Sequence, residues 1–226
     1  MSKDPKDLRI LFLRKKDNQY AQRAEDFIRQ YFQHSLIFTG GRKDKLSEEV
    51  LNWKGDLVIS FISSWIYPQS LLSNAGVAAI NFHPGSPEYP GTGCTNFAIY
   101  NGEKEYGVTC HHMAGGVDSG KIIAVKRFPV AENDSVYKVT QHCYKLIEEM
   151  FYEIMNGILN GQPLPESVEK WKRKPYTRKQ LDELCCIDPG MSEEEIQKRI
   201  RATTYKTPWA FTKIGEHIFK LQAEHK

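Results

Sequence analysis

"DLVISFISSWIYPQSLLSNAGVAAIN", residues 56–81, decides the fold. Residues 56–62 are apolar without alternation, the texture of a strand covered on both faces. Residues 67–76, with Pro68 at the front and Gly76 behind, suit a short helix. Residues 77–81 return to an apolar run that closes on Asn81. Two buried strands joined through a helix form a βαβ unit, and its strands run parallel. The pattern repeats outward. "LRILFLR" (8–14) and "SLIFTG" (35–40) read as strands around an amphipathic stretch, 19–33, with Ala21, Ala24, Ile28 and Tyr31 or Phe32 at helical spacing. After a helix near 94–101 come two β-like runs, 106–113 and 121–130. A long helix follows, 134–161, with Val136, Val139, Cys143, Ile147, Met150, Ile154 and Ile158 on one stripe. Gly161 and Pro163 end it. The expected fold is α/β: a doubly wound, mostly parallel, Rossmann-like sheet.

From residue 162 the texture changes. "QPLPESVEKWKRKPYTRKQ" is basic and proline-rich and reads as an irregular arm. Ser192 with Glu195 marks a helix start, and 210–221 reads as a hairpin around Ile214, Gly215 and Glu216. The expected organisation is a catalytic domain over 1–161 and a C-terminal arm, short helix and hairpin over 162–226.

The 226 residues suffice for one α/β core with a small appendage. A net charge of +3 argues against nucleic-acid binding by bulk electrostatics. The five cysteines fit no metal knuckle or C-x-x-C motif and read as reduced thiols. Residues 1–10 have no signal-peptide core, and no apolar run reaches membrane-spanning length. The expectation is a cytoplasmic protein that uses no metal, membrane or nucleic acid.

Parallel sheets bind ligands beyond the C-terminal ends of their strands. Asn81 and His83 fall at such an end, two residues apart, on one side of an extended chain. A stiff loop follows, "PGSPEYPG" (84–91). Asp118 lies in "AGGVDSG" (114–120), between the two later strands. A neutral imidazole is a competent base near pH 7, a carboxylate beside it fixes its tautomer, and an amide can stabilise an oxyanion. Together they suit acyl transfer to an amine. Each also has a plain structural reading: a turn asparagine, a loop histidine, a turn aspartate. Cys110, His111 and His112 suggest a metal, but alternation sends neighbours to opposite faces, and a buried structural histidine is the simpler reading. The basic and aromatic run at 170–179 matches RNA-binding segments and solvated surface strips alike.

"NFHPGSPEYPG" (81–91) resembles the N-x-H-P-(S/G)-x-x-P-x-(Y/F)-(R/P)-G signature of the N10-formyltetrahydrofolate-dependent formyltransferases. "YGVTCHHMAGGVDSGKII" (106–123) resembles that family's second signature, in the family's order and separation. The resemblance implies a formyltransferase core in which Asn81, His83 and Asp118 are the catalytic Asn-His-Asp. It implies N10-formyltetrahydrofolate as co-substrate, its pterin in a pocket lined by Ser64, Trp65, Ile66, Tyr67, Gly115, Gly116 and Val117.

Within the family, methionyl-tRNA formyltransferases carry a larger C-terminal barrel, for which this chain has too little after residue 160. Phosphoribosylglycinamide formyltransferases carry a glycine-rich loop after the first strand, where this chain reads "LRKKDNQYAQ". The sequence looks most like the nucleotide-sugar N-formyltransferases. These formylate a nucleotide-linked amino-dideoxy sugar for surface polysaccharide and tend to dimerise through a short C-terminal segment. That likeness implies a homodimer, a 4-amino-4,6-dideoxy sugar acceptor bordered by Pro90, Gly91, Thr92 and Gly93, and Lys15 beside its diphosphate. The alternatives are the transfer-RNA and purine-pathway acceptors, or a module that only binds folate, nucleotide or RNA.

Overall fold

The computed structural model describes residues 4–41 and 43–222. Six strands form one sheet in the order β2-β1-β3-β4-β5-β6. They are β1 Arg9–Lys15, β2 His34–Gly40, β3 Gly55–Phe61, β4 Ala75–His83, β5 Glu105–His112 and β6 Ile122–Pro129. The first four run parallel; β5 pairs antiparallel with β4, and β6 with β5. The mostly parallel α/β sheet read from the sequence is the one observed.

Both faces of the sheet are covered, which explains the unbroken apolar strands. On β1, Ile10 and Phe12 point into one core, Leu11 and Leu13 into the other. The larger core lies under α1 (Gln19–Tyr31) and the 24-residue α5 (Val136–Leu159). Phe151 of α5 sits at its centre, its ring 5.9, 5.3 and 5.4 Å from those of Phe12, Phe61 and Phe82. The expected α5 stripe is buried from Val136 to Ile154.

Among the described residues the opposite face has two single-turn helices, α2 (Glu48–Leu51) and α3 (Gln69–Leu72). Each is about 6 Å long at 1.5 Å per residue, too short to roof a seven- to nine-residue strand. The C-terminal ends of β3 and β4 therefore stay open on this side. The helix expected over 67–76 contracts to α3 because 75–76 already belong to β4. The strand expected at 77–81 in turn continues through His83, because β5 supplies partners as far as Thr109, opposite His83.

After α5 the chain runs without regular structure over 162–176. It then forms α6 (Arg178–Cys185), α7 (Glu193–Thr203) and the hairpin β7 (Phe211–Ile214) with β8 (His217–Lys220). Leu181, Leu184 and Ala202 of this segment, together with Tyr176, join the same core as α5. The remaining helix, α4 (Cys94–Asn101), lies against α5 and α7. Among the described residues no helix is long and apolar enough to cross a membrane.

Candidate active site

Side chains alternate along a strand, so even a single register places a whole row of them. Ser60 of β3 lies beside Asn81 of β4, and Asn81 beside His111 of β5. Where this face holds Val58 and Ala79 lower down, it holds Ser60, Asn81, His83 and His111 at the open end. The polar row thus begins where the single-turn helices stop.

Asp118 completes the cluster from the β5–β6 loop. It has a left-handed backbone, φ 40°, a conformation that aspartate tolerates better than most residues. Its Oδ2 lies 3.4 Å from His83 Nδ1 and accepts the Gly91 backbone N–H at 2.7 Å; its Oδ1 lies 3.2 Å from His111 Nε2. His83, His111 and the Asp118 side chain are all at least nine-tenths buried. Burial works against the Asp118 anion, but His83, His111 and the Gly91 amide outweigh it and hold its carboxyl well below the usual carboxylate range.

Burial lowers the His83 pKa below its ordinary value; Asp118 restores part of the loss, and His111 adds to it. The ring is therefore neutral at pH 7. Its Nδ1 faces the Asp118 carboxylate and its Nε2 the Tyr89 carbonyl oxygen at 3.2 Å; each oxygen can only accept, so the neutral ring donates to one of them and the imidazolium to both. When Nε2 takes a proton, that carbonyl is already placed to accept it. Gly85 leaves the space this needs: a Cβ there would come within 2.4 Å of Nε2.

His111 is the residue that sequence reasoning set aside as structural. Its Nδ1 donates to the His112 carbonyl at 2.8 Å, which makes Nε2 the acceptor in the neutral ring. The Asn81 amide nitrogen stands 3.1 Å from that Nε2. In the neutral ring His111 thus accepts from Asn81, and the same Nε2 reaches Asp118 Oδ1 as a donor only when it carries a proton. Period-2 alternation alone separates it from His112, but only the β4–β5 register puts it opposite Asn81.

These groups open onto a cavity of about 430 Å³. Ser64, Trp65, Ile66 and Tyr67 line one side, Gly115, Gly116 and Val117 another, and Gly91, Thr92, Gly93 and Lys15 the rim. Three of these side chains have partners of their own. Trp65 donates its indole N–H to the Asp44 carbonyl at 2.8 Å and packs on Phe38. The Tyr67 hydroxyl bonds Ser63 and, at 3.1 Å, Ser60, and burial pushes its pKa up to about 12. Lys15 Nζ donates to the Tyr144 hydroxyl at 3.1 Å. Pro90 stands apart: it does not line the cavity, and its carbonyl accepts the Tyr176 N–H at 2.8 Å. Among the described residues no group of three or more His, Cys, Asp or Glu side chains is arranged to hold a metal ion.

The arm over 170–177 is docked against this site. Lys172 N–H donates to the Pro87 carbonyl at 3.0 Å, and Thr92 N–H to the Tyr176 carbonyl at 2.9 Å. The Tyr176 ring stacks on Phe97 with centroids 3.7 Å apart.

The chain is similar to known proteins in sequence and in fold. A protein 28% identical over 185 residues is the methionyl-tRNA formyltransferase of Geobacillus thermodenitrificans; the match covers 80% of this chain and 56% of that protein. A second, from Listeria monocytogenes, is 27% identical over 77% of this chain and 55% of its own length. The chain spans little more than half the length of these curated relatives. Among solved structures, a sugar N-formyltransferase from a Shewanella species has a TM-score of 0.74 at 18% identity, over 96% of this chain and 98% of its own. The N-formyltransferase of Helicobacter canadensis, solved with folinic acid and dTDP-3-aminofucose, has a TM-score of 0.70 at 20% identity, over 91% and 84%. At these identities the likeness is one of fold. The model of the family described as formyl transferase matches residues 9–155, a span that contains the whole six-stranded sheet with Asn81, His83, His111 and Asp118, and the chain belongs to that family.

Proposed function

We propose that this chain transfers the formyl group of N10-formyltetrahydrofolate to the amine of a nucleotide-linked amino-dideoxy sugar. One observation carries the reading: Asn81, His83 and Asp118 meet at one cavity whose other walls are the 64–67 and 115–117 segments. Backbone donors and acceptors in such segments suit a flat heterocycle with polar edges. The acceptor class follows the solved structures that overlap the chain over nearly its whole length, one of them holding a dTDP-linked amino sugar.

In this reading the Asn81 amide and the His83 ring stabilise the oxyanion that develops as the amine adds to the formyl carbon. His83 Nε2 receives the proton the amine loses, Asp118 steadies the resulting imidazolium through Nδ1, and the imidazolium returns the proton to N10 as the bond between N10 and the formyl carbon breaks and tetrahydrofolate leaves. Lys15, exposed at the cavity rim, faces the diphosphate of the acceptor. Two copies of the chain associate through the C-terminal hairpin.

The test is a mass-spectrometric assay of the protein with N10-formyltetrahydrofolate and a panel of dTDP-, GDP- and UDP-linked amino sugars, beginning with 4-amino-4,6-dideoxy sugars. Gain of one formyl group on a panel member is the expected result. Formylation of methionyl-tRNA or phosphoribosylglycinamide instead would replace the acceptor. Absence of folate binding would overturn the reading as a whole.

A further inference from the structure

Trp171 belongs to the irregular arm, far in sequence from every group named in the chemistry. In the fold its indole N–H donates to the Gly120 carbonyl at 2.8 Å, two residues after Asp118. Its ring meets two imidazoles edge-on: His111 at 5.1 Å between centroids and 84°, His83 at 6.0 Å and 72°. It does not line the cavity. Gly120 has no freedom to move inward, since a Cβ built on it would fall within 1.8 Å of the His112 carbonyl oxygen. The 118–120 turn is therefore wedged between β5 on one side and the indole on the other.

We propose that Trp171 is a positioning residue of the transfer reaction. Its N–H clamps the turn that carries Asp118, and its ring keeps water from the buried side of His83 and His111. The proposal rests on the reading that His83 and Asp118 do the chemistry. It adds a role for the arm, which otherwise reads as a surface strip. A clamp of this kind acts on the geometry of a neighbour: a misplacement of the order of 1 Å in a catalytic group can cost ~100-fold in rate. The seal acts on the imidazole, because low hydration disfavours its charged form.

Two variants separate the two effects. Trp171→Phe keeps an aromatic ring and removes the N–H. Trp171→Ala removes both. Histidine NMR titration of the full chain follows His83 without needing any acceptor. The charged and titratable groups facing His83 are Asp118 and His111, with the Tyr89 carbonyl at Nε2. Loss of the N–H loosens the 118–120 turn in both variants, but the Gly91 amide keeps the Asp118 charge beside His83, so entry of water dominates the titration in Trp171→Ala. Its His83 titration is expected to move upward by about half a unit or more toward the ordinary imidazole value. Trp171→Phe is expected to keep the wild-type titration and to lose about tenfold in kcat with KM within twofold, because the clamp and not the pocket is altered. An unchanged His83 titration in Trp171→Ala with wild-type kcat in Trp171→Phe overturns the proposal, as does an effect confined to KM. Should Trp171→Ala fail to fold, Trp171→Phe decides alone by its kcat. A wild-type chain that transfers formyl to no acceptor counts against the proposed function, and the titration then still decides whether Trp171 seals the imidazole.

Discussion

At the scale of single residues the site is a chain of four polar groups, each beside the next: Asn81 by His111, His111 by Asp118, Asp118 by His83. His83 is the one whose two nitrogens both face an acceptor, so its ring can take up a proton. His83→Asn is expected to lower kcat by about 10²–10⁴-fold, the usual contribution of a positioned base. Folate affinity, measured by fluorescence titration, should stay within a few-fold, since the 115–117 wall offers only backbone and an aliphatic side chain. Turnover that survives would remove His83 from the mechanism. The pH dependence follows from the same burial. A base whose pKa lies below 6.5 is already neutral above that pH, so log kcat/KM should rise with unit slope to a midpoint below 6.5 and then stay flat to pH 8. Asp118→Asn deletes the charge that raises the His83 pKa, so the midpoint should move still lower while the plateau falls. A midpoint that moves upward instead would show that Asp118 does not face the ring in solution. Gly85→Ala tests the space at Nε2: its Cβ would meet Nε2 at 2.4 Å and the Tyr89 carbonyl oxygen at 2.9 Å, and the buried ring has nowhere to retreat. A loss of about 10²-fold in kcat is expected.

At the scale of elements, the loop over 84–93 and the arm over 170–177 form one unit. Tyr176 bridges them: its N–H and carbonyl pair with Pro90 and Thr92, its ring lies on Phe97, and the Arg173 guanidinium sits 3.3 Å from the ring centroid. Gly91 takes φ 91° because Tyr176 approaches so closely, its carbonyl oxygen 2.3 Å from where a Cβ would stand. Tyr176→Ala should therefore cost about 3 kcal/mol in urea unfolding, the scale for removing a buried aromatic, and lower kcat by loosening the Gly91 amide that holds Asp118. Loss of stability with unchanged kcat would uncouple the arm from the site. This unit also marks the limit of what could be read from the sequence. The parallel strands were legible because burial on both faces leaves continuous apolar runs. Asn81 and His83 were legible because a two-residue spacing guarantees a common face. Asp118 was legible through the family signature in its loop. The end of β4 was not, because Pro84 hides how far the β5 partner reaches. His111 was not, because its role depends on register across a non-local pair. The arm was not, because it docks through backbone hydrogen bonds and two aromatic rings, which leave no period in the sequence.

At the scale of the whole molecule, the open cavity and the C-terminal hairpin are separate features, since no residue of 211–220 lines the cavity. The hairpin hangs from the body by the backbone bond from Ile187 to the Phe211 carbonyl, a bridge between Cys186 and Phe211, and packing of Phe211 on the main core. Two strands alone are marginal in water and leave hydrogen-bonding edges unpaired. This pair also carries apolar side chains on both faces: Ile218 lies opposite Lys213 on one, Ile214 opposite His217 and Phe219 opposite Thr212 on the other. Ile214, Ile218 and Phe219 are 59%, 58% and 54% exposed, and Leu221 is 41% exposed. Exposed apolar side chains grouped on so small an element point to an interaction site. A second copy would cover it with the least added chemistry, because a two-fold axis pairs the same patch with itself. Light scattering after size exclusion is expected to give twice the chain mass at micromolar concentration. Replacing Ile214 and Phe219, which share one face, by lysines is expected to give a monomer. Because the hairpin stands clear of the cavity, that variant should keep kcat within about twofold of wild type, a distant surface change rarely altering a rigid site more. A wild-type monomer at these concentrations would overturn the dimer, and a monomeric variant without activity would show that the second copy contributes to catalysis.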